Sequence, residues 1–165
     1  MTFDYYIAIP SHRRADRLSE TLTWIRAANQ DLQRVIVFVS DEQDLVDYEV
    51  LKESYGVTIH ATGSKNVVEK FNAIHNHFSP GTPVFVIEDD VTVVVADERD
   101  KPQTIQDLSR LILDGFAAAQ KQKSKLWGIV PHSNPFYFGG RTTDTLKLVV
   151  AHASGSSQRA TPRWK

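Results

Sequence analysis

Three consecutive carboxylates, Glu88-Asp89-Asp90, stand directly behind the apolar run Val84–Ile87. An apolar run of mostly β-branched residues is typical of a strand buried on both faces. Acids packed together repel one another, and the end of a buried strand is a poor place to solvate them. A divalent cation would relieve that repulsion, since Mg²⁺ and Mn²⁺ prefer oxygen ligands. The triplet therefore indicates a metal site, with a solvated strand-to-turn junction as the alternative.

Two further polar clusters follow apolar runs. The loop Ser11–Arg14 comes after Tyr5–Pro10, and Ser40-Asp41 comes after Val35–Val39. If these strands are parallel, their carboxyl ends gather at one edge of the sheet, where ligands bind in open α/β folds. We therefore expect all three clusters to lie in one site.

The remaining pattern alternates strand-like and helix-like segments, which predicts an α/β domain, a three-layer α/β/α sandwich around a mostly parallel sheet. Apolar spacing predicts four helices, carrying respectively Leu18, Leu22 and Ile25; Val46, Val50 and Leu51; Val67, Phe71, Ile74 and Phe78; and Ile105, Leu108, Ile112 and Phe116. Further strands are predicted at 57–59, 126–130 and 146–150, and a charged loop at 97–101. We expect residues 1–152 to form the domain and 153–165, rich in Ser, Gly and Arg, to form a flexible tail.

Composition narrows the classes of function. The net charge of −1 gives no general attraction to nucleic acid or membrane, and the absence of cysteine excludes a disulfide framework and cysteine-based zinc sites. No secretory pattern and no apolar run of membrane-spanning length occurs, so a cytoplasmic location and no membrane partner are expected. Walker, dinucleotide-binding and Gly-x-Ser-x-Gly motifs are also absent from the sequence.

Carboxylates and a metal beside basic residues suit a ligand that contains a diphosphate. Asp90 would share the cation with the phosphates, and Asp41 could accept hydrogen bonds from a base or ribose. Candidates for the remaining phosphate charge are Arg13, Arg14, Lys65 and Lys70, and His132 or His152 could complete the metal shell. The alternatives are a turn acid or helix cap for Asp41, a solvated helix start for the arginines, and an exposed helix face for Lys70 and Asn72.

Several motifs of this sequence resemble the nucleotide-binding half of a GT-A glycosyltransferase, and they follow one another in the order found in that family. The resemblance rests on Ile9-Pro10-Ser11 with Arg13, Ser40-Asp41, Lys70-Phe71-Asn72 and Ile87-Glu88-Asp89-Asp90, the last being similar to the Asp-x-Asp motif of that family. It implies that Asp90 ligates Mn²⁺ or Mg²⁺ and that Glu88 touches the ribose or the metal, to which His152 adds the further candidate ligand named above. It also implies a nucleoside diphosphate sugar, most simply a UDP-sugar, as ligand. Its binding residues would be Pro10, Ser11, Arg13, Asp41, Lys70, Asn72, Glu88, Asp89 and Asn134.

A second resemblance covers most of the chain. Trp127–Pro131, Asn134–Phe138 and Thr143–Lys147 are similar to segments of the phage glycosyltransferases associated with TET/JBP-type base hydroxylases. It implies sugar transfer to hydroxymethylated pyrimidine in DNA, in the host cytoplasm if the chain is phage-encoded, with Asn134 bonding the sugar. Trp127 and Phe136 are alternatively core aromatics.

The sequence leaves the catalytic base, the acceptor-binding region and the type of reaction undetermined. No catalytic base is identifiable, so retention or inversion is undetermined. The chain ends soon after its last predicted strand, whereas GT-A enzymes usually carry a substantial acceptor-binding region there, so an oligomer or a partner subunit could complete the site. The rival functions are sugar-phosphate nucleotidyl transfer and non-catalytic binding of a nucleotide sugar.

Overall fold

The computed structural model describes residues 4–91, 95–98, 101–129 and 153–157. Six strands form the main sheet: β1 Tyr6–Pro10, β2 Val35–Val39, β3 Thr58–Ala61, β4 Pro83–Ile87, β7 Leu126–Gly128 and β8 Ala153–Ser157. A separate hairpin consists of β5 Val95–Glu98 and β6 Lys101–Thr104. The helices are α1 Ala15–Ala27, α2 Glu42–Tyr55, α3 Val67–His77 and α4 Leu108–Lys121, and a 3-10 turn spans Leu32–Arg34.

The main sheet has the strand order β3-β2-β1-β4-β8-β7. β1 pairs in parallel with both β2 and β4, and β2 pairs in parallel with β3. β8 pairs antiparallel with β4 on one side and with β7 on the other. The chain thus moves outward from β1 to β3 and then returns to the other side of β1 with β4. The order reverses between β1 and β4, and ligands of open α/β sheets bind beyond the carboxyl ends of the strands at such a switch point.

Helices cover both faces of the sheet, as predicted. On one face, apolar residues of α1, α2 and α4 pack against Ile7, Ile9 and Val37 in the larger core cluster. On the other face, Ile74 of α3 and Phe78 pack against Ala8, Ile36 and Phe38. β2 is buried along its whole length, because alternate residues of a central parallel strand meet helices on opposite sides. The α/β fold with a parallel four-strand core is confirmed.

The buried face of α2 differs from the prediction. Val46 and Val50 are 71% and 59% exposed, whereas Asp44, Tyr48 and Leu51 are buried. The residues at 44, 48 and 51 share a helix face by their spacing, and the polar groups of the first two are satisfied by hydrogen bonds. Gly56 ends α2 with φ 71°, in the left-handed region expected of a glycine at a helix C-terminus.

Two predicted loops are strands instead. Residues 153–157, which we expected to begin a flexible tail, form β8 inside the main sheet. Their sequence, Ala-Ser-Gly-Ser-Ser, has no apolar alternation and so gives no strand signal. β8 is held in the sheet by backbone hydrogen bonds to its two neighbouring strands. Asp97, Glu98 and Lys101, which we expected in a charged loop, lie in the strands of the β5–β6 hairpin.

The predicted strand at 146–150, residues His132, Asn134 and His152, and the rest of the predicted tail lie outside the described residues. None of the helices within the described ranges combines the length and the apolar character that crossing a membrane requires.

Candidate functional site

A crevice of about 620 Å³ lies beyond the carboxyl ends of β1, β2 and β4. Residues that follow each of these strands line it, so the three polar clusters meet as the sequence predicted. Pro10, Ser11, His12 and Arg14 come from β1 and its following loop, Ser40 and Asp41 follow β2, and Glu88 follows β4. The wall opposite comprises residues 63–67 and, on α3, Lys70 and Phe71.

Asp89, the central acid of the triplet, points into the protein and is fully buried. Its Oδ2 accepts a hydrogen bond of 2.6 Å from Ser11 Oγ, and Thr21 Oγ1 donates to its backbone oxygen at 2.8 Å. Burial raises the pKa of Asp89, while the Ser11 hydrogen bond and the charge of Arg14 act in the opposite direction. Asp89 therefore ties the turn after β4 to β1 and α1 and does not line the crevice.

Arg14 neutralises two of the three acids. Its Nη2 lies 2.8 Å from Asp89 Oδ1, and its Nη1 donates to Asp90 Oδ2 at 3.4 Å. The contact with Asp89 Oδ1 lacks hydrogen-bond angles, so within the described residues this buried oxygen accepts no hydrogen bond. The repulsion that we expected a metal to relieve is already reduced by a guanidinium. About half of the Arg14 side chain is exposed, so it can also meet a ligand anion in the crevice.

The described residues contain no group of three histidines or acids placed to hold a metal ion by themselves. Mg²⁺ and Mn²⁺ sites on phosphate ligands commonly use only one or two carboxylates, with phosphate oxygens and water completing the shell. Glu88, which lines the crevice, and the half-exposed Asp90 fit that smaller donor set. Asp89 does not fit this donor set, because its carboxylate is fully buried and faces Ser11 and Arg14.

Behind the β1 loop, α2 places a buried carboxylate that sequence reasoning missed. Asp44 accepts hydrogen bonds from His12 Nδ1 at 2.9 Å and from the backbone N–H groups of Arg13 at 3.1 Å and Ser40 at 3.0 Å. Burial acts to raise the pKa of Asp44, but these hydrogen bonds outweigh it and hold the pKa below its ordinary value. Asp44 is therefore an ionised acceptor that fixes the loop and orients the His12 ring.

Tyr48, one turn further along α2, joins this network to Asp89. Its hydroxyl accepts a hydrogen bond of 2.8 Å from the Arg14 backbone N–H and lies 2.7 Å from Ser11 Oγ. Because Ser11 gives its single proton to Asp89, the Tyr48 hydroxyl must donate to Ser11. Burial raises the pKa of Tyr48, so it keeps the proton that this arrangement needs.

Lys70 lies on the buried side of α3, which contradicts the reading of Lys70 as an exposed helix residue. Its Nζ donates to the backbone oxygen of Ser11, and the side chain lines the crevice. Burial lowers the pKa of Lys70, and the nearby charges of Asp44, Asp89 and Asp41 act against that shift. An ammonium that makes a single backbone contact in a crevice has donors left for a ligand.

The predicted site residues divide into three groups. Pro10, Ser11, Asp41, Lys70 and Glu88 line the crevice. Arg13, Asn72, Asp89 and Asp90 do not, although Asp89 and Asp90 contact Arg14. Asn134 and His152 lie outside the described residues. Arg13 has φ 52°, a left-handed conformation that turns the loop so that Arg14 faces the acids.

Two signals could have identified the missed residues Asp44 and Tyr48. They are four positions apart on a helix and continue to Leu51, so they occupy its core-facing side. Polar side chains on such a face must find partners, which makes them candidates for a buried network.

No protein-family model matches this sequence, and no curated protein is similar enough to count as a relative. Fold and crevice alone therefore define the class: an α/β domain, consistent with a Rossmann-like fold, with a polar crevice at the switch point of its parallel strands.

Proposed function

We propose that this chain is a glycosyltransferase that binds a nucleoside diphosphate sugar in the crevice and transfers the sugar to a hydroxyl group. The observation that carries the proposal is the meeting, at the switch point, of Asp41, Glu88, Arg14 and Lys70 around a crevice of about 620 Å³. That volume lies in the range of small-molecule sites. A crevice lined by both cations and acids suits a ligand with an anionic and a neutral part.

The diphosphate lies among the cations of the crevice lining, Arg14, Lys65 and Lys70. The Lys70 ammonium is buried, so its attraction for phosphate is screened less than that of a surface lysine. When the bond to the sugar breaks, negative charge grows on the diphosphate. Fixed cations that meet this charge stabilise the transition state more than the ground state.

The base and ribose occupy the side with Ser40 and Asp41. A carboxylate repels phosphate but accepts hydrogen bonds from N–H and O–H groups, so the neutral part of the ligand is favoured there. Pro10 and Phe71 line the same crevice and offer apolar surface for a flat ring.

Glu88 and Asp90 are the proposed ligands of Mn²⁺ or Mg²⁺, with His152 as a further candidate. A bound cation would supply Lewis-acid neutralisation of the leaving diphosphate. Arg14 lines the crevice and contacts Asp90 Oδ2 through its Nη1 at 3.4 Å, which places the Asp90 carboxylate within one guanidinium of the crevice.

The acceptor is proposed to be hydroxymethylated pyrimidine in DNA, on the strength of the resemblance that includes Trp127–Pro131 and Asn134. Trp127 is partly buried and stacks on Phe85, with ring centroids 5.4 Å apart, which supports its reading as a core aromatic.

A donor screen tests the proposal. The chain is incubated with UDP-, GDP-, CDP- and ADP-sugars, Mn²⁺ and hydroxymethylated or unmodified DNA, and release of the nucleoside diphosphate is measured. Release of the nucleoside diphosphate that requires hydroxymethylated DNA supports the proposal. Lys70→Met should abolish this release, whereas the control Lys121→Met, at an exposed position of α4, should not. Nucleotide binding without release would favour the non-catalytic module, and pyrophosphate release from a nucleoside triphosphate and a sugar phosphate would favour nucleotidyl transfer. If no nucleoside diphosphate is released, no nucleotide binds and no pyrophosphate is released, the proposed glycosyltransferase function is refuted.

A further inference from the structure

The pair His12–Asp44 has no role in the diphosphate chemistry described above, yet its exposed member, His12, lines the crevice. His12 lines the crevice with 47% of its side chain exposed, and Asp44 behind it is 1% exposed. The contact between them, His12 Nδ1 to Asp44 Oδ2, is 2.9 Å long. A buried acid that holds an exposed histidine by one ring nitrogen fixes what the other nitrogen can do.

The hydrogen bonds around Asp44 determine the tautomer of His12. Asp44 receives two backbone N–H groups as well as His12, and these bonds favour its ionised form, which can only accept. Nδ1 of His12 must therefore carry a proton. In the uncharged ring, Nε2 is then an acceptor, and no described residue donates to it within hydrogen-bond distance.

We propose that His12 Nε2 selects nucleobases that carry a ring N–H on their pairing edge, namely uracil, thymine and guanine, over cytosine and adenine. The proposal rests on the proposed function, because it assumes that a nucleotide occupies this crevice. It adds a residue and a rule of specificity that the diphosphate site does not supply.

The placement follows from charge. Asp41 lines the crevice at the end of β2, and its Oδ1 caps α2 by accepting a hydrogen bond of 3.0 Å from Asp44 N. Asp44 itself is 1% exposed and is not among the lining residues. Phosphate is disfavoured beside the Asp41 carboxylate and the lone pair of His12 Nε2, and the uncharged base takes the place next to His12. The exocyclic amines of cytosine and adenine can still reach Asp41, so the ring nitrogen is the atom that discriminates.

Cytosine and adenine would place a lone pair opposite the lone pair of Nε2, which leaves two acceptors unpaired. Sites built to pair a ligand N–H reject an analogue that lacks it, because their own polar group loses its partner. A discrimination of about tenfold or more is expected for one such mismatch.

Isothermal titration calorimetry with UDP, CDP, GDP and ADP tests this at about pH 8, above the range in which histidine ordinarily titrates. The wild-type chain should bind UDP and GDP at least about tenfold more tightly than CDP and ADP. The informative variant is His12→Asn, whose amide can still donate to Asp44 but has no counterpart of Nε2. Its UDP-to-CDP affinity ratio should fall to about one, because UDP loses the acceptor for its ring N–H and CDP no longer faces the unpaired lone pair of Nε2. The control His60→Asn removes a histidine of β3 outside the crevice lining and should keep the wild-type ratio.

The outcomes separate this inference from the function on which it rests. If nucleotides bind with equal affinity, or if His12→Asn keeps the preference for UDP, base selection by His12 is refuted and the nucleotide site stands. If none of the four nucleotides binds, both are refuted.

Discussion

Replacement of Asp89 by alanine should destabilise the fold much more than replacement of Asp90. The Ser11 hydrogen bond to a buried carboxylate contributes about 1.5–3 kcal/mol. The ion pair adds at most about 1 kcal/mol, because half of the Arg14 side chain is exposed. The raised pKa of Asp89 indicates that burial of the charge outweighs these two contacts, so the expected loss comes from the buried Ser11 hydroxyl, which would be left without its acceptor. We expect Asp89→Ala to lower the free energy of unfolding by about 1–3 kcal/mol.

Urea denaturation at pH 7, followed by far-UV circular dichroism, measures this loss as a shift in midpoint at constant slope. The isosteric Asp89→Asn keeps the shape and removes the charge, and should cost about 1 kcal/mol. The matched control Asp90→Ala, at a half-exposed position, should cost less than about 0.5 kcal/mol. Equal losses for the two alanine variants, or a negligible loss for Asp89→Ala, would refute the assignment of Asp89 as the buried acid that connects β4 to β1 and α1, and of Asp90 as a half-exposed acid.

Three further outcomes are expected. Gly115→Ala would place a Cβ 2.5 Å from ring atoms of Trp127, and should lower the melting temperature by an amount corresponding to about 1–3 kcal/mol of overpacking. Tyr48→Phe removes a buried hydroxyl with two hydrogen-bond partners and should cost about 1–3 kcal/mol in urea denaturation. Burial, and to a smaller extent the charge of His60, lower the pKa of His77 below its ordinary value. Below about pH 6.5 the unfolded chain therefore binds more protons at His77 than the folded chain does, and the free energy of unfolding falls. His77→Gln should flatten this acid limb of a stability-against-pH curve.

Each of these expectations has its own control. Ala117→Ser changes an exposed position of α4 and should leave the melting temperature nearly unchanged. Tyr55→Phe removes a hydroxyl at a less buried position and should cost less than Tyr48→Phe. Asn76→Gln changes an exposed, non-titrating position of α3 next to His77 and should keep the acid limb. The packing argument fails if Gly115→Ala is as stable as the native chain, and the titration argument fails if His77→Gln retains the full acid limb.

The strands of the parallel core could be predicted because each is a run of apolar residues between breaking residues. β1, β2 and β4 lie where the runs Tyr5–Ile9, Val35–Val39 and Val84–Ile87 placed them, within one residue at each end. β8 could not be predicted in this way. It is a short segment of small residues whose position depends on two neighbouring strands that are distant in sequence.

The edge of the sheet that carries the site was predictable, but the orientation of each side chain was not. Three acids in a row cannot all face the same way, and the sequence does not show that Asp89 turns inward to Ser11. Likewise Arg14, rather than Arg13, reaches the acids because of one left-handed residue in the loop. Orientation of this kind is fixed by tertiary contacts, which the apolar pattern does not encode.

The central claim is that the crevice at the β1–β4 switch point binds a nucleoside diphosphate. Chemical-shift mapping with ¹⁵N-labelled chain and UDP or GDP, with and without the diamagnetic ion Mg²⁺, tests it most directly. We predict saturable shifts concentrated on the backbone amides of Ser11, Asp41, Lys70 and Glu88. Shifts concentrated on residues outside the crevice lining, such as those of α4, or no shifts at millimolar nucleotide, would contradict the claim.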